Sequence, residues 1–190
     1  DVQKGDASFR ELVLAEDLVL AADLLSVHAH WITPEDSPRR FDTIFFATRT
    51  PPDQTAAHDG VELTDHAWLP PEQALAEFRA GRRQMIIPTW ANLETLSGFA
   101  TAEAALEASR RRPIVPILPT MVERDGRRRL VIREDAGYPT TEELVGGPGA
   151  GRDSVTGWLE QYAIAPAARK IEAFLDDLTM VQHHDLVGIA

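Results

Sequence analysis

The apolar positions near the start of the chain follow helical spacing. Phe9, Leu12, Val13 and Leu20 recur at intervals that place side chains on one helix face, so the pattern predicts an amphipathic helix. From residue 24 the composition changes to the β-branched and aromatic residues that are typical of strands. We predict an antiparallel set of three strands over 24–32, 41–48 and 61–69.

Three helices and a hairpin are predicted in the middle of the chain. The first helix begins at Pro70-Pro71, because proline favours a first turn, and ends at Gly81. The second follows Pro88-Thr89. The third covers 101–110 and ends in arginines, which suits the negative end of a helix dipole. Beyond it, Asp125-Gly126 predicts a β-hairpin.

The end of the chain is predicted to form an appendage. The sequence GGPGAG at 146–151 lacks the lysine and hydroxyl residue of a phosphate-binding P-loop, so it predicts a linker. Two helices, separated at Pro166, are expected after it over 154–162 and 165–180. The predicted units are a main domain (1–139), a linker (140–153) and a helical tail (154–190). An exposed apolar face on the tail would favour a homodimer.

Composition and charge exclude several classes of function. The chain has 190 residues, of which 44% are apolar, enough for one ordinary domain with a sizeable core. Its formal net charge of -11 argues against binding to nucleic acid, because phosphate binding requires a basic surface. No apolar run approaches the roughly 18 residues that a membrane span needs. We therefore expect neither a nucleic-acid nor a membrane partner.

The absence of cysteine limits both the chemistry and the expected location. It excludes disulfides, thiolate metal sites and a cysteine nucleophile. With no apolar signal segment at the amino terminus, the expected location is the cytoplasm. The sequence begins at Asp1 rather than at a methionine, and we expect it to start partway through a longer protein.

The clearest pair of potential metal ligands is His28 and His30. On a regular strand, side chains at positions i and i+2 lie on the same face, which is a workable spacing for two ligands. The spacing of the remaining histidines ties none of them to this pair. A histidine metal site and a partly exposed strand face beside Trp31 both stay open as interpretations.

Four segments occur in an order that resembles one enzyme family. Their sequences are FRELVLAEDLVLAADLL (9–25), HWITPEDSPRRFDTIFFAT (30–48), DGVELTDHAWLPPEQAL (59–75) and PTWANLETL (88–96). In this order they resemble the part of a Nudix hydrolase that follows its catalytic helix. The resemblance is to the branch of coenzyme A diphosphatase-like enzymes, and it covers residues 8–138.

The resemblance implies a fold, an activity and a cofactor. The implied fold is α+β, with a Nudix-like mixed sheet flanked by helices, to which this chain adds its predicted helical tail. Family members hydrolyse a nucleoside diphosphate linked to another group and use Mg²⁺ or Mn²⁺, which neutralises the diphosphate and helps to generate the attacking hydroxide. The expected partner is a small nucleotide derivative such as coenzyme A.

The matched positions provide candidate site residues. We expect Arg39 and Arg40 either to lie at the end of a strand, where a guanidinium could hold a phosphate, or to belong to a surface turn. Trp31 and Phe41 could stack on a base, or they pack in the core. Nudix enzymes often place an additional acid beside the next strand. The predicted catalytic or metal-assisting acids at that strand are Glu62 and Asp65.

The Nudix box, which carries the family's metal ligands, is not intact in this chain. The box combines an Arg-Glu pair with a later Glu-Glu pair, and around Arg10-Glu11 the later pair would be Leu14 and Ala15. Two interpretations stay open. The favoured one is a box upstream of Asp1 that completes a hydrolase, and the alternative is a catalytically inactive Nudix-like protein that binds or scaffolds.

Overall fold

The computed structural model describes residues 8–37, 40–52, 66–144, 173–175 and 178–186. Helices and a mixed sheet occur together in these residues, so the protein has the expected α+β character. The helices in the described part of the chain are α1 (Phe9–Ala15), α2 (Pro71–Arg79), α3 (Ile87–Leu96) and α4 (Ala102–Arg111). None of them is long and apolar enough to cross a bilayer.

The strands in the described residues form two sheets. They are β1 (Ser26–Ile32), β2 (Phe41–Arg49), β3 (Ala67–Trp68), β4 (Pro116–Ile117), β5 (Thr120–Arg124), β6 (Arg127–Val131), β7 (Glu142–Leu144), β8 (Ala173–Leu175) and β9 (Leu178–Leu186). The larger sheet has the order β3-β8-β9-β2-β1-β4, and the smaller has the order β5-β6-β7. Because β1 runs antiparallel to β2 and parallel to β4, the larger sheet is mixed.

Strands β1 and β2 form the antiparallel pair predicted for 24–32 and 41–48. The Thr33 backbone N–H donates to the Phe41 carbonyl (3.0 Å), and the Phe41 N–H donates to the Thr33 side-chain oxygen (3.0 Å). Alternate residues Thr43, Phe45 and Ala47 on β2 are buried, so this face of the sheet is the core face. The pairing fixes the position of the turn between the two strands.

A bulge in β1 changes which of its side chains reach the core. Val27 is opposite Phe46 and Ala29 is opposite Phe45, so His28 is an extra residue without an opposite partner in β2. After the bulge, Ala29 lies on the core face together with Phe45. The alternation expected from an unbroken strand is therefore shifted by one residue.

The three predicted middle helices are confirmed, and their ends have local causes. Helix α2 has proline in its first turn, and Gly81 follows it with a φ of +70°. The Thr101 side chain caps α4 by accepting a hydrogen bond from the Ala104 N–H (3.2 Å). Most of α3 is buried, so it forms the centre of the helical layer.

Apolar side chains from α2, α3 and α4 share one core with both sheets. The largest contributions to this core come from Trp31, Phe45, Leu75, Trp90, Leu93, Leu106, Leu130 and Tyr138. The predicted hairpin is also confirmed, because Asp125 and Gly126 both have positive φ (54° and 68°) between β5 and β6. The smaller sheet thus closes one side of the core.

One prediction for the carboxyl-terminal part of the chain needs correction. The helix predicted over 165–180 is wrong for 173–175 and 178–180, which are strand. Strand β9 pairs antiparallel with all nine residues of β2, and this pairing outweighs the local helical tendency. The predicted linker 146–151 and the predicted helix 154–162 lie outside the described residues.

The first helix is shorter than its apolar pattern predicts. Ser8 and Glu11 form a reciprocal capping box that begins α1, with the Ser8 N–H donating to Glu11 (2.9 Å). The helix ends at Ala15, and Asp17 adopts a φ of +51°. Leu20 therefore lies beyond the helix, and no residue of α1 is buried.

Candidate functional site

Arg40 lies in the connection between β1 and β2, directly before the first residue of β2. Its Nε–H donates to the Thr33 carbonyl (3.1 Å), which uses one of the five guanidinium N–H donors. A guanidinium held in this way is suited to bind a phosphate or carboxylate through paired hydrogen bonds. Arg39, the other predicted phosphate-binding residue, lies outside the described part of the chain.

Phe41 adjoins Arg40 and begins β2. Its backbone N–H is bonded to Thr33, and its side chain is half-buried. The half-buried Phe41 retains both of the roles that the sequence left open, packing and contact with a planar ligand. By the alternation of side chains along β2, it lies on the same face as the buried Thr43 and Phe45.

Trp31 lies in the core and not at the surface. Its side chain is 2% exposed, and its indole N–H is directed at the Tyr138 hydroxyl (3.2 Å) and the Asn92 Oδ1 (3.4 Å). The rings of Trp31 and Tyr138 meet edge to face, with centroids 5.3 Å apart. Of the two roles predicted for Trp31, packing in the core is the one observed. The buried ring has no open face on which a base could stack.

The residues Trp31, Asn92, Tyr138 and Arg112 form a buried polar cluster beneath the end of β1. The Tyr138 hydroxyl donates to Asn92 Oδ1 (2.7 Å), and Arg112 lies over the Tyr138 ring with its Cζ 4.8 Å from the centroid. Burial raises the pKa of the Tyr138 hydroxyl. The Asn92 Nδ2 is buried, with no acceptor among the described residues.

Arg112 also holds the loop that carries Tyr138. Its Nη2 donates to the Ala136 carbonyl (2.6 Å), and a Cβ added at Gly137 would lie 3.2 Å from the same nitrogen. Gly137 has a φ of +76°, so glycine is favoured there for two reasons. Sequence reasoning missed this cluster. The available signals were a polar Asn92 between the apolar residues Ala91 and Leu93, and the last of three consecutive arginines.

His28 is buried on the core side of the sheet, against α4. The Ser109 hydroxyl donates to the Ala105 carbonyl (2.9 Å), so it must accept from the His28 Nδ1–H (2.9 Å). Burial, together with the Arg112 charge, lowers the pKa of His28 to about 4. The imidazole is therefore neutral at physiological pH, with its proton on Nδ1.

His30 lies on the opposite face of the sheet from His28. It is opposite Ile44, which alternates with the buried residues of β2, and its Nε2 is bonded to the Asp42 carboxylate. The bulge at His28 thus separates two side chains that an unbroken strand would place together. Within the described residues no group of three or more histidine, aspartate or glutamate side chains could hold a metal ion. The described side chains therefore do not fit a metal site. Glu62 and Asp65 lie outside the described part of the chain.

One further titratable group was not identified from sequence. Glu143 on β7 is opposite Leu130, and burial raises its pKa to about 7, although the Trp90 indole N–H opposes part of the shift. That indole does not reach hydrogen-bond geometry, so it stabilises the carboxylate only weakly. Its neighbour Glu142 instead binds Arg124 (2.9 Å) and Arg129.

Comparison of the chain with protein-family models, with curated proteins and with solved structures gives no match.

Proposed function

We propose that the chain is a Nudix-like domain that binds a nucleoside-diphosphate derivative such as coenzyme A and supports its metal-dependent hydrolysis. One observation carries the proposal. The segment 30–48, one of the four that carry the resemblance, contributes to the antiparallel strands β1 and β2, and Arg40 between them is bonded to Thr33. The α+β architecture with a mixed sheet is compatible with this assignment.

Arg40 binds the diphosphate in this proposal. Its hydrogen bond to Thr33 limits the freedom of the guanidinium, so less conformational entropy is lost when a phosphate binds. The half-buried Phe41 is the candidate for contact with the nucleoside part of the ligand. Trp31 does not contact the ligand but supports the end of β1 from the core.

The metal-dependent part of the proposal requires residues outside the described part of the chain. The described residues do not supply a group of metal ligands. Glu62 and Asp65 are the acids that we assign to this part of the reaction, together with carboxylates of a Nudix box. Dependence on Mg²⁺ or Mn²⁺ is therefore a test of the proposal.

A second candidate is binding without hydrolysis. It is favoured by Leu14 and Ala15, which stand where the paired glutamates of the box would follow Arg10-Glu11. A domain of this kind would retain the Arg40 site but lack the carboxylates for metal-assisted attack. It would act as a sensor or scaffold for the same class of ligand.

Coenzyme A in Mg²⁺ distinguishes the two candidates when turnover and binding are measured together. Hydrolysis predicts release of a phosphate-bearing product that stops on addition of a chelator. Binding alone predicts a calorimetric signal without product. Arg40→Gln should weaken binding by about tenfold or more, because a charged phosphate contact is lost. Arg49→Gln, at the far end of β2 and paired with Glu103, is the matched control. If neither binding nor turnover is observed, both candidates are contradicted.

A further inference from the structure

The outer face of the larger sheet carries a bonded histidine and aspartate. His30 on β1 and Asp42 on β2 lie on the face opposite the buried Thr43 and Phe45, and the His30 Nε2 is bonded to the Asp42 Oδ1. Imidazole nitrogens and carboxylate oxygens are both ligands of divalent transition metals. The side chains that the structure describes add no third ligand to this pair.

The register of β9 brings two residues of the same kinds to this face. The backbone of β9 pairs antiparallel with β2, on the side of β2 away from β1. His183 is opposite Ile44, and Asp185 is opposite Asp42. Because directly opposite residues belong to the same face of a sheet, His183 and Asp185 share the outer face with His30 and Asp42. The sequence ties none of the other histidines to His30, whereas the register does.

Asp42 occupies the central position among these four residues. Asp185 is its direct neighbour on β9, a relation that places the two Cβ atoms about 4.5–5.5 Å apart. His30 and His183 are both opposite Ile44, two residues from Asp42, so each is a diagonal neighbour at about 7–8 Å. One ion with nitrogen and oxygen ligands about 2.0–2.2 Å away can bridge residues at these separations.

The position of the two aspartates also favours a bound cation. Like charges that lie directly opposite each other destabilise the pairing of two strands, and Asp42 and Asp185 are placed in this way on β2 and β9. The whole chain has a formal net charge of -11, which adds to the repulsion. A divalent cation between the strands offsets it and favours the pairing of β9 with β2.

We propose that His30, Asp42, His183 and Asp185 form a binding site for Zn²⁺ that joins β9 to β1 and β2. A set of two imidazoles and two carboxylates matches the number of ligands and the tetrahedral geometry that zinc prefers. Imidazole disfavours Mg²⁺, which binds oxygen ligands. The site uses neither the arginine assigned to the diphosphate nor the acids assigned to hydrolysis, so it is independent of the proposed function.

Metal titration of the untagged chain tests the proposal. Competition with a chromophoric chelator should show one saturable Zn²⁺ site per chain, and an excess of Mg²⁺ should not displace the zinc. Co²⁺ at the same site should give the intense visible absorption of tetrahedral coordination, which Zn²⁺ then abolishes. The absence of saturable Zn²⁺ binding, or displacement of the zinc by Mg²⁺, would overturn the proposal.

Two adjacent histidines provide a matched pair of variants. His183→Gln should weaken Zn²⁺ binding by at least about tenfold, because even the loss of a group that only orients a metal ligand costs that much. His184→Gln is the control, since its residue is opposite the buried Thr43 and so belongs to the core face. Circular dichroism checks that both variants fold. Unchanged binding in His183→Gln, or an equal loss in both variants, would overturn the proposal.

Thermal unfolding tests whether the ion joins the three strands. Zn²⁺ should raise the midpoint of unfolding of the unmodified chain and of His184→Gln, because the ligands come together only in the folded sheet. The increase should disappear in Asp42→Asn, which removes the central carboxylate. A Zn²⁺-dependent increase that persists in Asp42→Asn would overturn the proposal, since the ion would then stabilise the protein from another site.

Discussion

The buried cluster beneath β1 and the exposed Phe9–Leu25 segment place large apolar side chains in opposite environments. Trp31 is 2% exposed because α3 and the Tyr138 loop cover it, whereas Leu14 is 66% exposed. The segment begins with apolar positions at helical spacing, yet no residue of α1 is buried. The comparison teaches that periodicity identifies the apolar face of an element, whereas contacts distant in sequence determine whether that face is covered.

The two regions should therefore respond differently to substitution. In the cluster, a side chain contributes to folding through packing and through hydrogen bonds that are shielded from water. In the exposed segment, apolar groups contribute little to folding because they remain in water. Measurements of stability can test this difference.

Trp31→Ala should have the largest effect on stability. Removing a buried indole leaves a cavity and takes away the edge-to-face contact with Tyr138, which should cost about 3–5 kcal/mol in the free energy of unfolding. Urea denaturation followed by circular dichroism measures the loss. A cost below about 1 kcal/mol would show that the cluster does not support the core.

Glu143→Gln should remove a pH-dependent cost within the buried region. The folded carboxyl has a pKa of about 7, raised from 4.5 by burial, so folding becomes less favourable as pH rises from about 4.5 to 7. The variant should gain stability relative to the unmodified protein over this window, by up to about 3 kcal/mol. Urea denaturation at pH 5 and pH 7 measures the difference.

The pH test has a control within the same smaller sheet. Glu142 forms ion pairs with Arg124 and Arg129, so Glu142→Gln should not produce a gain that grows with pH. His28, whose pKa is lowered to about 4, has the opposite effect. Its contribution to the stability of the folded state is lost as pH falls from about 6.5 to 4. If the stability of Glu142→Gln and Glu143→Gln changed with pH in the same way, the pH-dependent cost could not be assigned to Glu143.

Tyr138→Phe should have an intermediate effect in the cluster. The ring and its contact with Arg112 remain, but Asn92 Oδ1 and the Trp31 indole N–H lose a hydrogen-bond partner. The expected cost is about 1–2 kcal/mol, in line with an unsatisfied buried polar group. Thermal and urea denaturation should agree on it, and an unchanged stability would indicate that another group replaces the hydroxyl.

Leu14→Gln should have the smallest effect on folding. Because Leu14 is exposed, the free energy of unfolding should change by less than about 0.5 kcal/mol in urea denaturation. A large loss of stability would show that Leu14 packs in the folded chain, and the comparison between the two regions would then fail.

The elements that the sequence predicts well are those with local signals. Proline at the start of α2 and α3, Thr101 as the cap of α4, and Asp125-Gly126 in the hairpin all act within a few residues. Interactions at short range are visible in a single sequence. For this reason the predictions of the middle helices and of the hairpin are confirmed.

The features that the sequence does not reveal depend on distant contacts. The bulge at His28 depends on register with β2, and strand β9 depends on the availability of β2 as a partner. The hydrogen bond between Asn92 and Tyr138 joins residues 46 positions apart. Of the predicted site residues, Arg40 is bonded to Thr33 just before β2, Phe41 begins β2, and Trp31 lies in the core.

The central functional claim is that Arg40 binds the diphosphate of a nucleotide derivative. Its side-chain Nε–H signal, assigned by comparison with Arg40→Lys, can be followed by nuclear magnetic resonance during titration with coenzyme A. We predict a saturable shift of that signal, with no shift of the Arg49 signal at the other end of β2. Saturable binding of coenzyme A that leaves the Arg40 signal unchanged would contradict the account.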